Sequence, residues 1–192
     1  MSKNPKINAV YVAAFVLFTA LGAFAQTART EAIKVGDIAP DFTLSDNSGN
    51  QVTLSKAVKN APVVLVFYRG SWCPFCTRQL SDLRSLLKED EKTRLYAISI
   101  DAADKSAGLI KKIESDGKGK INYSFLSDPK ANTIDAYGLR DPRYKDEKVD
   151  GIPYPTVYVV GKNRKIVWAK LEKDYKNRPT NAEIRAEINK SK

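Results

Sequence analysis

At 192 residues the chain fits the roughly 100–200 residues of one domain, and with 43% hydrophobic residues it has enough apolar side chains for a single core. It has two cysteines and no histidine, which argues against a structural zinc site, because that takes four ligands, commonly Cys and His. The formal net charge of +10 comes from Lys and Arg mixed among Asp and Glu, and without aromatic residues interleaved among the cations it points away from nucleic acid and toward solubility.

Residues 1–25 read as a secretory signal peptide. Lys3 and Lys6 make a basic start, residues 7–20 an apolar run, and Ala23-Phe24-Ala25 an A-x-A cleavage site before Gln26. The alternative is an uncleaved anchor over residues 7–25, which approaches the ~20 residues of a membrane span but is interrupted by Asn8, Tyr11 and Thr19. The protein is therefore expected to be exported, periplasmic or secreted, and to meet a membrane only through an uncleaved N-terminus. Residues 26–33 are small and polar and read as a flexible arm, which leaves one domain over residues 34–192.

Within that domain, residues 38–44 and 51–54 flank Asn47-Ser48-Gly49-Asn50 as a β-hairpin. Residues 63–68 are continuously apolar, the pattern of a central strand buried on both faces. Leu80, Leu83, Leu86 and Leu87 recur at helical spacing as core positions, residues 95–100 form a second buried strand, and residues 106–113 a helix. This strand-helix-strand-helix order predicts parallel strands with right-handed crossovers. A glycine-lysine loop (116–120), a strand (123–126) and a helix (129–137) follow, then the charged, unpatterned stretch 138–150, expected as a surface loop beside the site. Residues 157–160 and 166–169 form a second hairpin, and a helix over 181–188 closes the chain.

The chemistry is concentrated in Trp72-Cys73-Pro74-Phe75-Cys76, directly after the central strand. A strand followed by Cys-x-x-Cys is a redox signature. Pro74 suits the first position of a helix, where its missing N–H would have no partner anyway, so Cys73 falls at the cap and Cys76 one turn in. The unpaired N–H groups of that end stabilise a thiolate. Residues three apart on a helix have Cβ atoms about 5–6 Å apart, and a modest rotation brings them to the roughly 4 Å of a disulfide. A purely structural bridge here would close only a two-residue loop and remove little chain entropy, so a reversible dithiol/disulfide couple is the better reading. Cys73 is expected to be the more acidic and more exposed thiol, with Arg69 and Arg78 as candidate thiolate-stabilising cations.

Three segments then resemble the redoxin branch of the thioredoxin fold, the alkyl hydroperoxide reductase/thiol-specific antioxidant (peroxiredoxin-like) family. They are Val35-Gly36-Asp37-Ile38-Ala39-Pro40-Asp41-Phe42-Thr43-Leu44, Val66-Phe67-Tyr68-Arg69-Gly70-Ser71-Trp72-Cys73-Pro74-Phe75-Cys76, and Gly151-Ile152-Pro153-Tyr154-Pro155-Thr156. The resemblance implies an α/β, thioredoxin-like fold with a central mixed β-sheet flanked by helices and an N-terminal β-hairpin extension. No cofactor and no metal are expected, and the resemblance makes Pro155 a cis-proline facing the Cys pair. Trp72, Pro74, Phe75, Tyr154 and Pro155 are then the candidate substrate-binding residues, an aromatic platform for a partner.

The departures from the family pattern bear on mechanism. If Cys76 is placed on the peroxide-reacting cysteine of Pro-x-x-x-Thr-x-x-Cys, Cys73 takes the threonine position and Arg69 the proline position. The family's active-site arginine falls on Tyr154, and the buried carboxylate of thioredoxin itself falls on Phe67. The leading expectation is therefore a thiol-disulfide oxidoreductase, in which Cys73 attacks a protein disulfide and Cys76 resolves the mixed disulfide. The second is a thiol peroxidase, in which Cys76 is oxidised by a hydroperoxide and Cys73 resolves it. Either needs a thiol protein as electron donor or acceptor. A third, non-enzymatic expectation is a soft-metal module holding Cu(I).

Overall fold

The computed structural model describes residues 28–88 and 91–191, so the signal-peptide reading of residues 1–25 lies outside the described residues. In chain order the elements are β1 (Thr43–Asp46), β2 (Gln51–Thr53), α1 (Leu54–Ala57), β3 (Val63–Phe67), α2 (Pro74–Asp82), β4 (Arg94–Ser99), α3 (Ala103–Glu114), β5 (Ser124–Ser127), α4 (Asn132–Ala136), β6 (Thr156–Val160), β7 (Ile166–Leu171) and α5 (Asn181–Lys190). The seven strands form one mixed sheet in the order β2-β1-β5-β4-β3-β6-β7. β3 and β4 pair in parallel, as do β4 and β5, whereas β6 lies antiparallel to β3 and β7 to β6.

The apolar run read as a central strand is β3, and its alternation explains the two-layered core. Val63, Leu65 and Phe67 face one side with Tyr137 and Tyr158, while Val64, Val66 and Tyr68 face the other with Leu80, Leu83, Phe125, Ile184 and Ile188. Strand side chains alternate sides with period two, so a strand buried on both faces must be apolar at every position, and β3 is. The Cys pair belongs to the second layer, because α2 packs on that face of the sheet.

Three features add to or depart from the sequence reading. The first hairpin begins at Thr43 rather than at residue 38, because Pro40 has no N–H to give to a ladder and Ile38 instead makes an isolated bridge to Lys165 of the second hairpin. The stretch 138–150 is charged and on the surface as expected, but it is pinned: Arg140 joins Asp135 at 2.7 Å to Asp150 at 2.8 Å, and Arg143 pairs with buried Asp141 at 2.7 Å. Finally, the described part of the arm is docked rather than loose. Arg29 N–H donates to Asp135 O and Ile33 N–H to Tyr137 O, Ile33 is buried, and its carbonyl accepts from the Tyr158 hydroxyl. The polar composition of the arm concealed Ile33, which anchors its described residues, with Ala32 packed beside it on the same core cluster.

Gly138 lets that arm approach. Its φ is +66°, and a Cβ there would lie 2.0 Å from the Glu31 carbonyl oxygen. Gly138→Ala is expected to cost about 2 kcal/mol or more in unfolding free energy, from left-handed backbone and lost arm contacts together. Urea denaturation measures it; a variant as stable as the parent would mean that arm docking contributes nothing.

Candidate active site

The turn that delivers the cysteines is built at the end of β3. Tyr68 N–H still bonds Ile98 O at 3.0 Å, and the chain then leaves the sheet. Half-buried Asp101, at the end of β4, organises the turn: its carboxylate accepts from Ser71 N at 2.7 Å and from the Tyr68 hydroxyl at 3.4 Å. Gly70 sits at φ +151° with the Trp72 indole folded back over it, where a Cβ would be 2.6 Å from Trp72 Nε1. Cys73 N–H returns to Gly70 O at 3.1 Å. Cys73 then takes the N-cap position of α2 with extended backbone, Pro74 opens the helix, and the Cys73 carbonyl accepts from Thr77 N–H at 3.0 Å. Cap and first-turn placement of the two thiols follow the sequence reading.

Both thiols are free and both are wholly buried, which corrects the expectation that Cys73 is the more exposed. Part of their environment is a segment that sequence reasoning missed, residues 172–180 between β7 and α5. From it Arg178 reaches back across 102 residues to place Nη2 3.5 Å from Cys76 Sγ, and Tyr175 packs edge-on against Phe75 with centroids 5.6 Å apart. The Arg178 guanidinium is itself held by the carbonyls of Tyr175 and Asn177.

A second guanidinium belongs to the site, packed against the same Tyr175. Arg69 is buried, and its charged carbon stands 4.8 Å from the Trp72 ring, 4.9 Å from Tyr144 and 4.4 Å from Tyr175. Its Nη2 also donates to the Tyr144 hydroxyl at 2.6 Å. Ring faces are negative, so this cage keeps a desolvated cation in place. Tyr144 comes from the 138–150 loop, which does lie beside the site as the sequence suggested.

These groups separate the two thiols. Cys73 is pulled down to about 6, first by the hydrogen bond from Cys76, then by the Cys76 backbone N–H and the charges of Arg69 and Arg178, all against the opposing effect of burial. Cys76 is pushed far up by that same bond, by burial and by the Cys73 charge. At neutral pH the pair thus carries one negative charge, on Cys73, and one proton, on Cys76. Because a hydrogen bond to a charged group contributes about 1.5–3 kcal/mol and 1.36 kcal/mol is one pKa unit, Cys76→Ala should raise the Cys73 midpoint by about one to two units, whereas Cys76→Ser keeps a donor and should leave it near about 6. Alkylation rates with iodoacetamide across pH check this; equal midpoints in the two variants would remove the inter-thiol bond as the cause.

The other candidate residues divide. The Arg69 charge lowers Cys73, as does that of Arg178, whereas Arg78 is exposed and lies in a groove beside α2. Residues two apart on a helix do not share a face, which turns Arg78 away from Cys76. Trp72 and Pro74 are exposed, Phe75 is half-buried against Tyr175, and half-buried Tyr154 lies 5.3 Å from the Arg143 guanidinium. The cis-proline assignment is overturned: no peptide bond among the described residues is cis, and Pro155 is buried just before β6. Tyr154 N–H bonds Leu139 O at 2.8 Å and Pro155 O accepts from Glu172 N–H at 3.0 Å. A backbone paired on both sides in this way is satisfied in the trans form, which X–Pro bonds prefer by about 0.5–1 kcal/mol.

Comparison with known proteins agrees with this architecture. The AhpC/TSA family profile matches residues 35–169. A 1-Cys peroxiredoxin of Dictyostelium discoideum is 32% identical over 112 residues, 57% of this chain and 46% of that relative. The 1-Cys peroxiredoxin A of Oryza sativa subsp. japonica is 27% identical over 137 residues, 70% of this chain and 62% of that relative. The chain thus spans about half to three-fifths of the length of these curated relatives. The crystal structure of peroxidoxin BcpB from Mycobacterium tuberculosis superposes with a TM-score of 0.68 at 24% identity, over 83% of this chain and 99% of that one, a likeness of fold.

Proposed function

The chain belongs to the AhpC/TSA family, and on that premise we propose that it is a thiol-dependent peroxidase in which Cys76 is oxidised by a hydroperoxide and Cys73 resolves the product. The observation that carries this reading is the Arg178 guanidinium at 3.5 Å from Cys76 Sγ, a charge-bearing donor where sulfur and peroxide oxygen would develop negative charge. It supplies from the C-terminal segment what the family pattern lacks at Tyr154. Preorganised donors of this kind are commonly the largest single contribution to a rate.

The chain's own residues carry the proton of the first step, and solvent supplies the proton of the second. The Cys73 thiolate takes the Cys76 proton as Cys76 sulfur attacks the outer peroxide oxygen; the O–O bond breaks, and Cys76 is oxidised by two electrons to the sulfenic acid. Cys73 passes the proton to the leaving alkoxide, giving the alcohol, and is again a thiolate. It attacks the sulfenic sulfur, releasing hydroxide that is protonated to water and leaving the Cys73–Cys76 disulfide. An external thiol protein reduces that bond through a mixed disulfide. A resolving thiol with a pKa of about 6 is ionised at neutral pH for both of its tasks.

One observation favours the alternative, attack on a protein disulfide by Cys73: it is the more acidic thiol. Against it stands the burial of both sulfurs, which a small peroxide evades more readily than a polypeptide. Single-turnover rates of the reduced protein with hydrogen peroxide and with a protein disulfide decide the matter, and dimedone trapping in Cys73→Ser should mark Cys76. A faster reaction with the protein disulfide would reverse the assignment. We further propose that the protein acts after export, supported by the pattern of residues 1–25 and by the persistence of disulfides outside the cytosol. The mass of the protein recovered from its host should correspond to a chain starting at Gln26.

A further inference from the structure

Beside α2 the 172–180 segment leaves a groove of about 530 Å³ that the steps above do not use. Phe75 and Pro179 give it apolar walls, and three cations, Arg78, Lys176 and Arg178, line it against a single acid, Asp82. Two of its lining residues carry buried donors that have no partner among the described residues, Nε2 of Gln79 and Nε of Arg178. Gln79 is only 6% exposed. A buried amide or guanidinium N–H without an acceptor is unfavourable by about 1–3 kcal/mol, and here two such groups border one cationic groove.

The Arg178 guanidinium joins this groove to the dithiol. Its Nη1 is taken by backbone carbonyls and its Nη2 faces Cys76 Sγ, which leaves Nε as the free edge of the same plane. An anion accepting from Nε would therefore be held one guanidinium width from the reacting sulfur. We propose that this groove is the subsite for a carboxylate carried by the substrate, so that the preferred oxidant is a short aliphatic hydroperoxide with a carboxylate group rather than hydrogen peroxide. The proposal rests on the peroxidase reading for its chemistry: the O–O bond is cleaved by Cys76, the hydroperoxide is reduced to the hydroxy acid, and the sulfur is oxidised to the sulfenic acid. The carboxylate takes part in binding alone. The aliphatic stem lies along Phe75 and Pro179.

Two measurements test it. In the reduced protein, the Arg178 Nε–H resonance, assigned through Arg178→Lys, should move on titration with hexanoate and stay in place with hexanamide. In the peroxidase assay, 6-hydroperoxyhexanoic acid should exceed its methyl ester in kcat/KM by about tenfold, the scale of one charge-assisted contact at a half-open site, and Arg78→Gln combined with Lys176→Gln should reduce that ratio without abolishing it, because the Arg178 Nε contact remains. Equal rates for acid and ester, with an Nε–H resonance indifferent to hexanoate, would overturn the subsite and leave the peroxidase standing. If hexanoate moves the resonance but no hydroperoxide is reduced, the peroxidase reading fails and the carboxylate site remains.

Discussion

Arg178→Gln should slow the second-order reaction with hydrogen peroxide about a hundredfold, the order of loss seen when one preorganised donor is removed from a developing charge. Arg178 is the cation in hydrogen-bond contact with Cys76 sulfur, and its charge also favours ionisation of both thiols. Gln keeps a donor of similar reach without the charge, so the variant isolates electrostatics from shape. Arg178→Lys should recover part of the rate, because a point charge is restored while the planar fork that bridges sulfur and backbone carbonyls is not. Stopped-flow consumption of peroxide by the reduced protein gives the number. A glutamine variant within threefold of the parent would leave the catalytic role of this arginine without support.

How much of this could be read in advance depended on whether the information was local. The double-sided burial of β3, the cap and first-turn placement of Cys73 and Cys76, and the closing helix all follow from patterns within about a dozen residues, and each was legible. Arg178 was not. It stands in a stretch without periodicity, Lys173-Asp174-Tyr175-Lys176-Asn177-Arg178, and its relation to Cys76 exists only because β7 turns the chain back across the N-terminal end of α2. Sequence proximity pointed instead to Arg78, which helical geometry directs outward. Pro155 shows the opposite failure: a motif carried over by resemblance suggested a cis bond, while the actual hydrogen bonds of Tyr154 and Pro155 tie the chain just before β6 to Leu139 and Glu172. Arg69 lies next to the dithiol in the chain, but its cage required Tyr144 and Tyr175 from two separate loops, and no spacing rule unites them.

Cys73→Ser should have the larger effect, since Cys73 is assigned two duties. With its thiolate gone, Cys76 loses the base that takes its proton, a contribution worth roughly 10²–10⁴ in rate, and turnover with an external thiol should stop at the sulfenic acid. The pH dependence separates this from a merely structural loss. In the parent protein the peroxide reaction needs Cys73 ionised, so its rate should rise through a midpoint near about 6 and then level off. In Cys73→Ser the rate must follow the ionisation of Cys76 itself. Losing the Cys73 charge and bond lowers that ionisation from its extreme, but burial still holds it above that of an ordinary thiol, so the rate should still be climbing at the alkaline end of the profile. Cys76→Ser provides the complementary profile: its remaining Cys73 keeps a midpoint near about 6 yet should consume peroxide far more slowly than the parent, because the Arg178 contact is made to the other position. Should Cys76→Ser instead match the parent in rate, with dimedone found on Cys73, the acidic thiol is also the peroxide-reacting one and the order of the two sulfurs must be exchanged.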